Sequence, residues 1–299
     1  MRFTTFTPRG GEPRTGVLID DDLVLDLDAA LGETLDIPRT LLEIVTAGNG
    51  LVEKIASAVE SLDLDASTTY PINDVQIEAP LRPGKIIGVG LNYDEHVEES
   101  GRSLDTDKER PERPVLFSKP ATAVVAHGQP IHHNGILTQQ LDWECELAVV
   151  IGKPAKAVSA DAALDHVFGY SIVNDISARD QRRSGQWFYS KGQDTYAPFG
   201  PVIVTADEIK DPQNLDLALW VNDEQMQSGN TGQMIFSVAE LIADISSGMT
   251  LEPGDVIITG SPQGVGAAKN PPRFLRPGDV VTARVEKIGT LSNPVKDAK

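Results

Sequence analysis

The sequence predicts a strand-rich α+β fold, in which a small N-terminal α/β domain precedes a larger domain. Three observations support this prediction. Short apolar runs outnumber helical patterns, the regular strand–helix alternation of a doubly wound sheet is missing, and a polar, proline-punctuated segment spans residues 63–84. Because domain boundaries fall in such segments, we place one near residue 78, which gives domains 1–78 and 79–299.

The N-terminal domain is predicted to contain short strands followed by helices. Apolar runs at 16–19 and 23–27 are separated by acidic turn residues, as in strands joined by a turn. Thr40 and Glu43 match a capping box, which predicts that a helix begins there. Apolar residues at helical spacing from 51 to 62 predict a second helix.

The larger domain is predicted to be mostly strands. They are expected at residues 85–90, 215–221, 256–258 and 280–281. A Pro-Gly-Asp turn leads into each of the last two. Ser237 and Glu240 form another capping box and predict a helix after them.

Composition excludes several classes of function. The 299-residue chain is 40% hydrophobic, 23% charged and has a formal net charge of −18, which argues against nucleic acid and anionic membrane surfaces as partners. No apolar stretch reaches the roughly 18 residues of a membrane-spanning helix, and the first residues lack the apolar region and cleavage site typical of a signal peptide. We therefore expect a cytoplasmic protein without a membrane partner. The single cysteine, Cys145, excludes an intrachain disulfide and is interpreted as a core residue.

Two glutamates in an apolar run suggest a metal site. Glu144 and Glu146 are two residues apart in a predicted strand, so their side chains share a face. Two buried carboxylates on one face repel each other unless a cation neutralises them, and oxygen ligands suit Mg²⁺, Mn²⁺ or Ca²⁺. A half-exposed strand with its polar face in water would explain the motif equally well.

A third carboxylate ends another apolar run. Asp175 follows a predicted strand at 169–174, where functional side chains often lie. It could complete a metal site, although an Asn-Asp pair followed by serine also serves as a turn or helix cap.

A histidine–glutamate pair is predicted on a short helix. Asn92, with Glu95 three residues later, is expected to cap this helix. His96 and Glu99 are then neighbours on one helical face, where the carboxylate would make the imidazole a better general base. An exposed acidic helix with an incidental histidine is the simpler alternative.

Five sequence blocks in a fixed order resemble the fumarylacetoacetate hydrolase family. They are Gly-x-Asn-Tyr-x-x-His-x-x-Glu at 90–99, Asp-Trp-Glu-x-Glu-Leu at 142–147, Asn-Asp-x-Ser-Ala-Arg-Asp at 174–180, Trp-x-x-x-Lys at 187–191 and Thr-Gly-Ser-Pro-x-Gly-Val-Gly at 259–266. The resemblance covers residues 80 to 295. It implies a mixed β-roll fold behind a small N-terminal domain, and a homodimer.

The resemblance also implies a role for each matching residue. The implied ligands of Mg²⁺ or Mn²⁺ are Glu144, Glu146 and Asp175; the implied catalytic residues are His96, Glu99 and Lys191; and the implied substrate-binding residues are Asn92, Tyr93, Arg179, Arg182, Thr259 and Ser261. Arg182 stands where relatives often have glutamine, so it could favour a substrate with an additional carboxylate. The charged segment 101–114 is expected to belong to a lid over the substrate.

Members of this family act on small keto acids in three ways. Many cleave a carbon–carbon bond in acylpyruvates or related 2,4-diketo acids, whereas others decarboxylate oxaloacetate-like acids or isomerise unsaturated hydroxy-diacids. A diketo acid would chelate the metal, His96 with Glu99 could deprotonate a water, and Lys191 could stabilise the pyruvate enolate. These residues favour metal-dependent hydrolysis, with decarboxylation or isomerisation as the alternative. A non-catalytic keto-acid binder is less favoured.

Overall fold

The computed structural model describes residues 1–103, 110–182 and 185–298. The described strands are β1 (Arg2–Pro8), β2 (Arg14–Ile19), β3 (Leu23–Asp26), β4 (Thr69–Pro71), β5 (Val75–Ile77), β6 (Ile86–Gly90), β7 (Val115–Lys119), β8 (Val124–Val125), β9 (Ile131–His133), β10 (Leu141–Asp142), β11 (Cys145–Ile151), β12 (Val167–Asn174), β13 (Ser177–Ala178), β14 (Ala197–Thr205), β15 (Asp216–Val221), β16 (Glu224–Asn230), β17 (Val256–Ile258), β18 (Val280–Val285) and β19 (Gly289–Asp297). The described α-helices are α1 (Leu27–Leu31), α2 (Leu41–Ala47), α3 (Asn49–Glu60), α4 (Asp94–Ser103), α5 (Ala160–Ala163), α6 (Trp187–Lys191) and α7 (Val238–Gly248). None of these helices is long and apolar enough to cross a membrane.

Most strands belong to one mixed sheet. Its 12 strands follow the order β4-β3-β2-β1-β14-β12-β11-β17-β6-β7, with β5 paired to β1 and β8 paired to β14. A second sheet has five strands in the order β16-β15-β18-β19-β9, and β10 pairs with β13. The strand-rich α+β fold predicted from the sequence is confirmed.

The N-terminal segment shares the large sheet with the rest of the chain. Strand β1 pairs antiparallel with β14, with Phe3 opposite Ile203. The helices α2 and α3 then cover that part of the sheet, where Ile44 and Ile55 are fully buried. The division at residue 78 stays a prediction.

Two of the three predicted helix caps are confirmed. The Thr40 hydroxyl accepts the Glu43 N–H while the Glu43 carboxylate accepts the Thr40 N–H, and Ser237 and Glu240 do the same. Each cap satisfies two N–H groups that would otherwise have no partner. The prediction for Asn92 was wrong, because α4 begins at Asp94 and the Asn92 amide is used on distant backbone groups.

Strand β11 carries two hydrophobic cores on its opposite faces. Leu147 and Val149 belong to the core that includes the five-stranded sheet, whereas Ala148 and Val150 belong to the core beneath α2 and α3. Because side chains alternate along a strand, Glu146 lies on the same face as Ala148. Cys145 lies on the face of Leu147 and is fully buried, so the core role predicted for it is confirmed.

The ends of four central strands meet at one edge of the large sheet. Strand β6 is parallel to β17, so the segments that follow both strands leave the sheet at the same end. Strand β11 is antiparallel to β17 and to β12, so its start and the end of β12 lie there as well. This arrangement brings together the sequence blocks that begin at residues 90, 142, 174 and 259.

Candidate active site

Three buried carboxylates form the centre of the site. Ligand oxygens of Glu144, Glu146 and Asp175 all lie within 4.8 Å of one another. Glu146 faces Val173 across the β11–β12 ladder, and the Asp175 N–H donates to the Glu144 carbonyl at 2.8 Å. Pairing of the two strands therefore places the third carboxylate beside the first two.

Two cations hold Glu144 in its ionised form. Its Oε2 lies 2.6 Å from Lys191 Nζ, and its Oε1 lies 2.7 Å from Arg179 Nη2. Burial by itself would raise the pKa of Glu144, but Lys191 and Arg179 together lower that pKa well below its usual value. The same lysine lies 2.5 Å from Asp175 Oδ2, so it bridges two members of the carboxylate cluster.

Glu146 is the carboxylate whose negative charge is least compensated by the described residues around it. It accepts one hydrogen bond, from the Gly260 N–H at 2.7 Å, and within residues 1–103, 110–182 and 185–298 it has no ion pair. Burial, followed by the charges of Asp175 and Glu144, raises the pKa of Glu146 well above its usual value. A divalent cation among the three carboxylates would relieve this repulsion, and an all-oxygen set suits Mg²⁺ or Mn²⁺. The residues present therefore fit a metal ion of this class.

The histidine–glutamate pair predicted from the sequence lies beside this cluster. His96 Nδ1 is 2.8 Å from Glu99 Oε1. Both Glu99 oxygens accept the Gly264 N–H at 3.0 Å, so α4 is docked on the turn that follows β17. An imidazole whose Nδ1–H is held by a carboxylate presents Nε2 as a proton acceptor. Part of the predicted lid segment, residues 104–109, lies outside the described residues.

One pocket is lined by the histidine of this pair and by two of the three carboxylates. Residues predicted from the sequence that line it are His96, Glu144, Glu146, Arg179, Arg182, Lys191 and Ser261. The Arg182 guanidinium lies 4.4 Å from the centre of the Trp187 ring, which orients it by a cation–π contact at the pocket wall.

Four of the residues expected to bind substrate make their described contacts with other groups of the protein. The Thr259 hydroxyl donates to the Leu147 carbonyl at 3.0 Å, and Tyr93 is buried, with 1% of its surface exposed. Arg179 lines the pocket, but its guanidinium donates to Glu144 at 2.7 Å and to Asp142 at 2.9 Å. It therefore orients a carboxylate of the cluster.

Asn92, the fourth of these residues, connects three segments of backbone. Its Nδ2 donates to the carbonyls of Phe236 and Thr259 at 3.0 and 2.8 Å, and its Oδ1 accepts the Phe236 N–H at 2.8 Å. The side chain is fully buried. Asn92 thus ties the start of the His96 segment to the turn after β17.

We expect Asn92→Ala to destabilise the protein by about 3 kcal/mol, because it leaves buried backbone groups without partners. Urea unfolding would measure the change in the free energy of unfolding. Asn49→Ala, at an exposed position on α3, is the matched control and should change stability by less than about 0.5 kcal/mol. An Asn92→Ala protein as stable as this control would contradict the assigned role.

The sequence analysis missed two residues that support the carboxylates. Lys119 Nζ lies 2.6 Å from Asp175 Oδ1 and donates to the backbone carbonyls of Ile176, Lys191 and Tyr196. Burial, partly offset by Asp175, lowers the pKa of Lys119 to about 8. Period-two alternation along β7 could have identified it, because Lys119 shares a face with the buried Phe117.

Asp142 is the second missed residue. Its carboxylate accepts the N–H groups of Gly266 and Ala267 at 2.6 and 3.0 Å, and the Nε of Arg179 at 2.9 Å. It therefore connects the turn after β17 to the arginine that orients Glu144. Its position in the Asp-Trp-Glu block was the available signal.

A family model, a relative and a solved structure that match this chain all point to one family. The family model described as fumarylacetoacetate (FAA) hydrolase C-terminal matches residues 85–296. The chain is 43% identical over 290 residues to oxaloacetate tautomerase YisK of Bacillus subtilis (strain 168), covering 94% of this chain and 95% of the relative. The fumarylacetoacetate hydrolase from psychrophilic Exiguobacterium antarcticum is 37% identical, with a TM-score of 0.82 and 100% of both chains covered.

A further solved structure bears on the metal. Maleylpyruvate hydrolase from Sphingobium sp. SYK-6, in complex with manganese(II) and pyruvate, is 30% identical, with a TM-score of 0.79 and 100% of both chains covered. The matches extend over all five sequence blocks and over the strand-rich fold. The chain therefore belongs to the fumarylacetoacetate hydrolase family.

Proposed function

We propose that the protein is a Mg²⁺- or Mn²⁺-dependent tautomerase that interconverts the enol and keto forms of oxaloacetate. The observation that carries the proposal is the pocket in which His96 and Lys191 meet Glu144 and Glu146, two members of the buried carboxylate cluster. The 43% identity to an oxaloacetate tautomerase over 94% of the chain supports this substrate.

Similarity to oxaloacetate tautomerases supports the isomerase alternative over hydrolysis. Enol oxaloacetate is an unsaturated hydroxy-diacid, so its tautomerisation belongs to the isomerase alternative and not to the hydrolysis that the sequence favoured. Carbon–carbon hydrolysis is not confirmed. The His96–Glu99 pair does not discriminate between the two reactions, because a base that deprotonates water can also move a proton at an activated carbon.

Tautomerisation needs a proton transfer at carbon 3 and stabilisation of an enolate. A bound divalent ion would act as a Lewis acid toward the 2-keto oxygen. His96 would exchange the carbon 3 proton at Nε2, while Glu99 holds the ring through Nδ1. A proton lost from carbon 3 is balanced by one gained on the enolate oxygen, and no water is consumed.

Lys191 would supply fixed positive charge to the enolate. Burial by itself would lower the pKa of Lys191, but the carboxylates of Asp175 and Glu144 raise it, so the side chain stays an ammonium. A charge already in place at the pocket wall stabilises the enolate without reorganisation.

The test follows enol oxaloacetate by its ultraviolet absorbance. We expect ketonisation faster than with Mg²⁺ or Mn²⁺ alone, loss of this acceleration with a chelator, and no more pyruvate than the metal ion alone produces. Pyruvate released from oxaloacetate faster than by the metal ion alone would replace the proposal with a decarboxylase. Metal-dependent cleavage of an acylpyruvate, with no effect on enol oxaloacetate, would restore the hydrolase.

Arg182 is predicted to bind the second carboxylate of oxaloacetate. We expect Arg182→Met to lower kcat/KM for enol oxaloacetate by about 10- to 100-fold, the usual effect of losing one charge-assisted hydrogen bond. For enol pyruvate, which lacks the second carboxylate, the same substitution should lower kcat/KM by less than about threefold. Arg284→Met, at an exposed position on β18, is the matched control and should behave like the wild type. Equal losses of kcat/KM for the two substrates would show that Arg182 does not bind this carboxylate.

A further inference from the structure

A glutamine from the second sheet reaches the wall of the active site. Gln227 lies on β16 and is 1% exposed. Its Oε1 accepts the Cys145 N–H at 2.9 Å, and its Nε2 donates to the Pro262 carbonyl and to the Ser261 hydroxyl, both at 2.7 Å. It thereby connects the strand of the carboxylates to the turn that contains Ser261.

The orientation of this amide is determined by its partners. A backbone N–H can only donate, so the end of Gln227 near Cys145 must be the oxygen. A backbone carbonyl can only accept, so the end near Pro262 must be the nitrogen. The two assignments are consistent with each other, and both amide hydrogens of Gln227 are used in these hydrogen bonds.

The amide in turn determines what the Ser261 hydroxyl can do. The hydroxyl oxygen already accepts from Gln227, so its own proton must be donated elsewhere. In the described part of the chain its one further acceptor is the Pro262 carbonyl, at 3.4 Å. That distance exceeds the 2.5–3.0 Å of ordinary O–H···O bonds, and the same carbonyl accepts Gln227 at 2.7 Å.

Ser261 also lines the candidate active-site pocket. It is 2% exposed and lines the pocket together with Glu144, Glu146 and His96. Because the Ser261 hydroxyl proton has no well-placed acceptor among the described residues, it is available to a ligand in the pocket. Such a hydroxyl favours a ligand oxygen without a proton and disfavours an N–H or O–H group at the same place.

We propose that Gln227 is a positioning residue that commits the Ser261 hydroxyl to donate into the pocket, so that the site selects a ligand with an ionised carboxylate there. This inference rests on the proposed function only in taking a keto acid as the substrate. Gln227 acts through Ser261 and touches no ligand itself.

The test measures binding of oxalate to the Mn²⁺-loaded protein by calorimetry. Oxalate offers a carboxylate and a chelating pair of oxygens but undergoes no turnover, so a failure of the tautomerase assay would not affect the result. We expect S261A to raise the oxalate dissociation constant by about 10- to 150-fold, as for a lost hydrogen bond to a charged group. S261T keeps the hydroxyl and should stay within about threefold of the wild type.

The role of Gln227 is tested by Q227E. A glutamate side chain has only acceptors for Ser261, so the hydroxyl must turn its proton away from the pocket. We expect a loss of oxalate affinity at least as large as that of S261A. Oxamate, which replaces one carboxylate with an amide, should lose less affinity because its N–H can donate to the turned hydroxyl.

A double-mutant cycle separates positioning from scaffolding. Any cost of Q227E through charge or through lost backbone contacts should persist in the S261A background, whereas a cost through the hydroxyl should vanish there. We therefore expect Q227E to weaken oxalate binding by less than about threefold in that background. If Q227E lowered oxalate affinity equally in the wild-type and S261A backgrounds, the proposal would be overturned.

A near-isosteric variant provides a second test if Q227E does not fold. Q227M removes the donor without adding charge, so the hydroxyl can turn either way. We expect a smaller loss than for Q227E, again only when Ser261 is present. Wild-type oxalate affinity in both S261A and Q227M would exclude the proposal.

Discussion

Glu146→Gln is expected to raise the Mn²⁺ dissociation constant at least about 100-fold and to abolish tautomerase activity. Substitutions of residues that hydrogen-bond a metal ligand already cost about 10- to 100-fold in metal affinity, so removing the charge of a ligand itself should cost more. Glu146 is the carboxylate for which the described residues provide no ion pair, so its charge is the one that a metal would compensate. Calorimetric titration with Mn²⁺ and the shift in Tm on adding Mn²⁺ would measure the effect.

Glu95→Gln is the matched control for this experiment. Glu95 is an exposed acidic residue on α4, close to the site but outside the carboxylate cluster. It should keep wild-type metal affinity and activity. Without metal, Glu146→Gln should be no less stable than the wild type, because glutamine replaces a buried acid with a neutral group. Unchanged Mn²⁺ affinity in Glu146→Gln would remove this residue from the metal site.

His96→Gln is expected to reduce kcat for enol oxaloacetate by about 100- to 10,000-fold, the usual contribution of a general acid–base residue. The expected reason is that glutamine can form hydrogen bonds but cannot exchange a proton near neutral pH. Mn²⁺ affinity should change by less than about threefold, since the imidazole is not part of the carboxylate cluster. Ketonisation rates with saturating Mn²⁺ and calorimetric Mn²⁺ titrations would provide the two readouts.

His132→Gln, on β9, serves as the control and should retain full activity. A His96→Gln protein that loses metal affinity as much as activity would indicate a ligand or scaffold role. One that keeps full activity would show that another group moves the proton.

Local patterns predicted the elements that depend on nearby residues. The capping boxes at Thr40 and Ser237 were predictable because both partners of each cap lie within four residues. The pairing of His96 with Glu99 was predictable for the same reason, since helical spacing places the two side chains together. Asn92 has the same kind of local pattern, but distant backbone groups compete for its amide and prevent the cap.

The supporting contacts of the site depend on pairs that are far apart in the chain. Lys119 is 56 residues from its partner Asp175, and Gln227 is 34 residues from Ser261. Neither spacing has a local signature, because sheet order decides which strands are neighbours. The sequence blocks identified which residues could act but not which of them contact each other.

The sequence by itself determined the family, the strand-rich fold class, the candidate metal carboxylates and the histidine–glutamate pair. These follow from residue order and from spacings that strands and helices convert directly into shared faces. The tertiary structure alone decided that the carboxylates are buried together, that Arg179 and Lys119 form ion pairs with two of them, and that Gln227 donates a hydrogen bond to Ser261. The physical reason is that burial and long-range pairing set the charge compensation and the direction of each hydrogen bond, and both arise only when the sheet has formed.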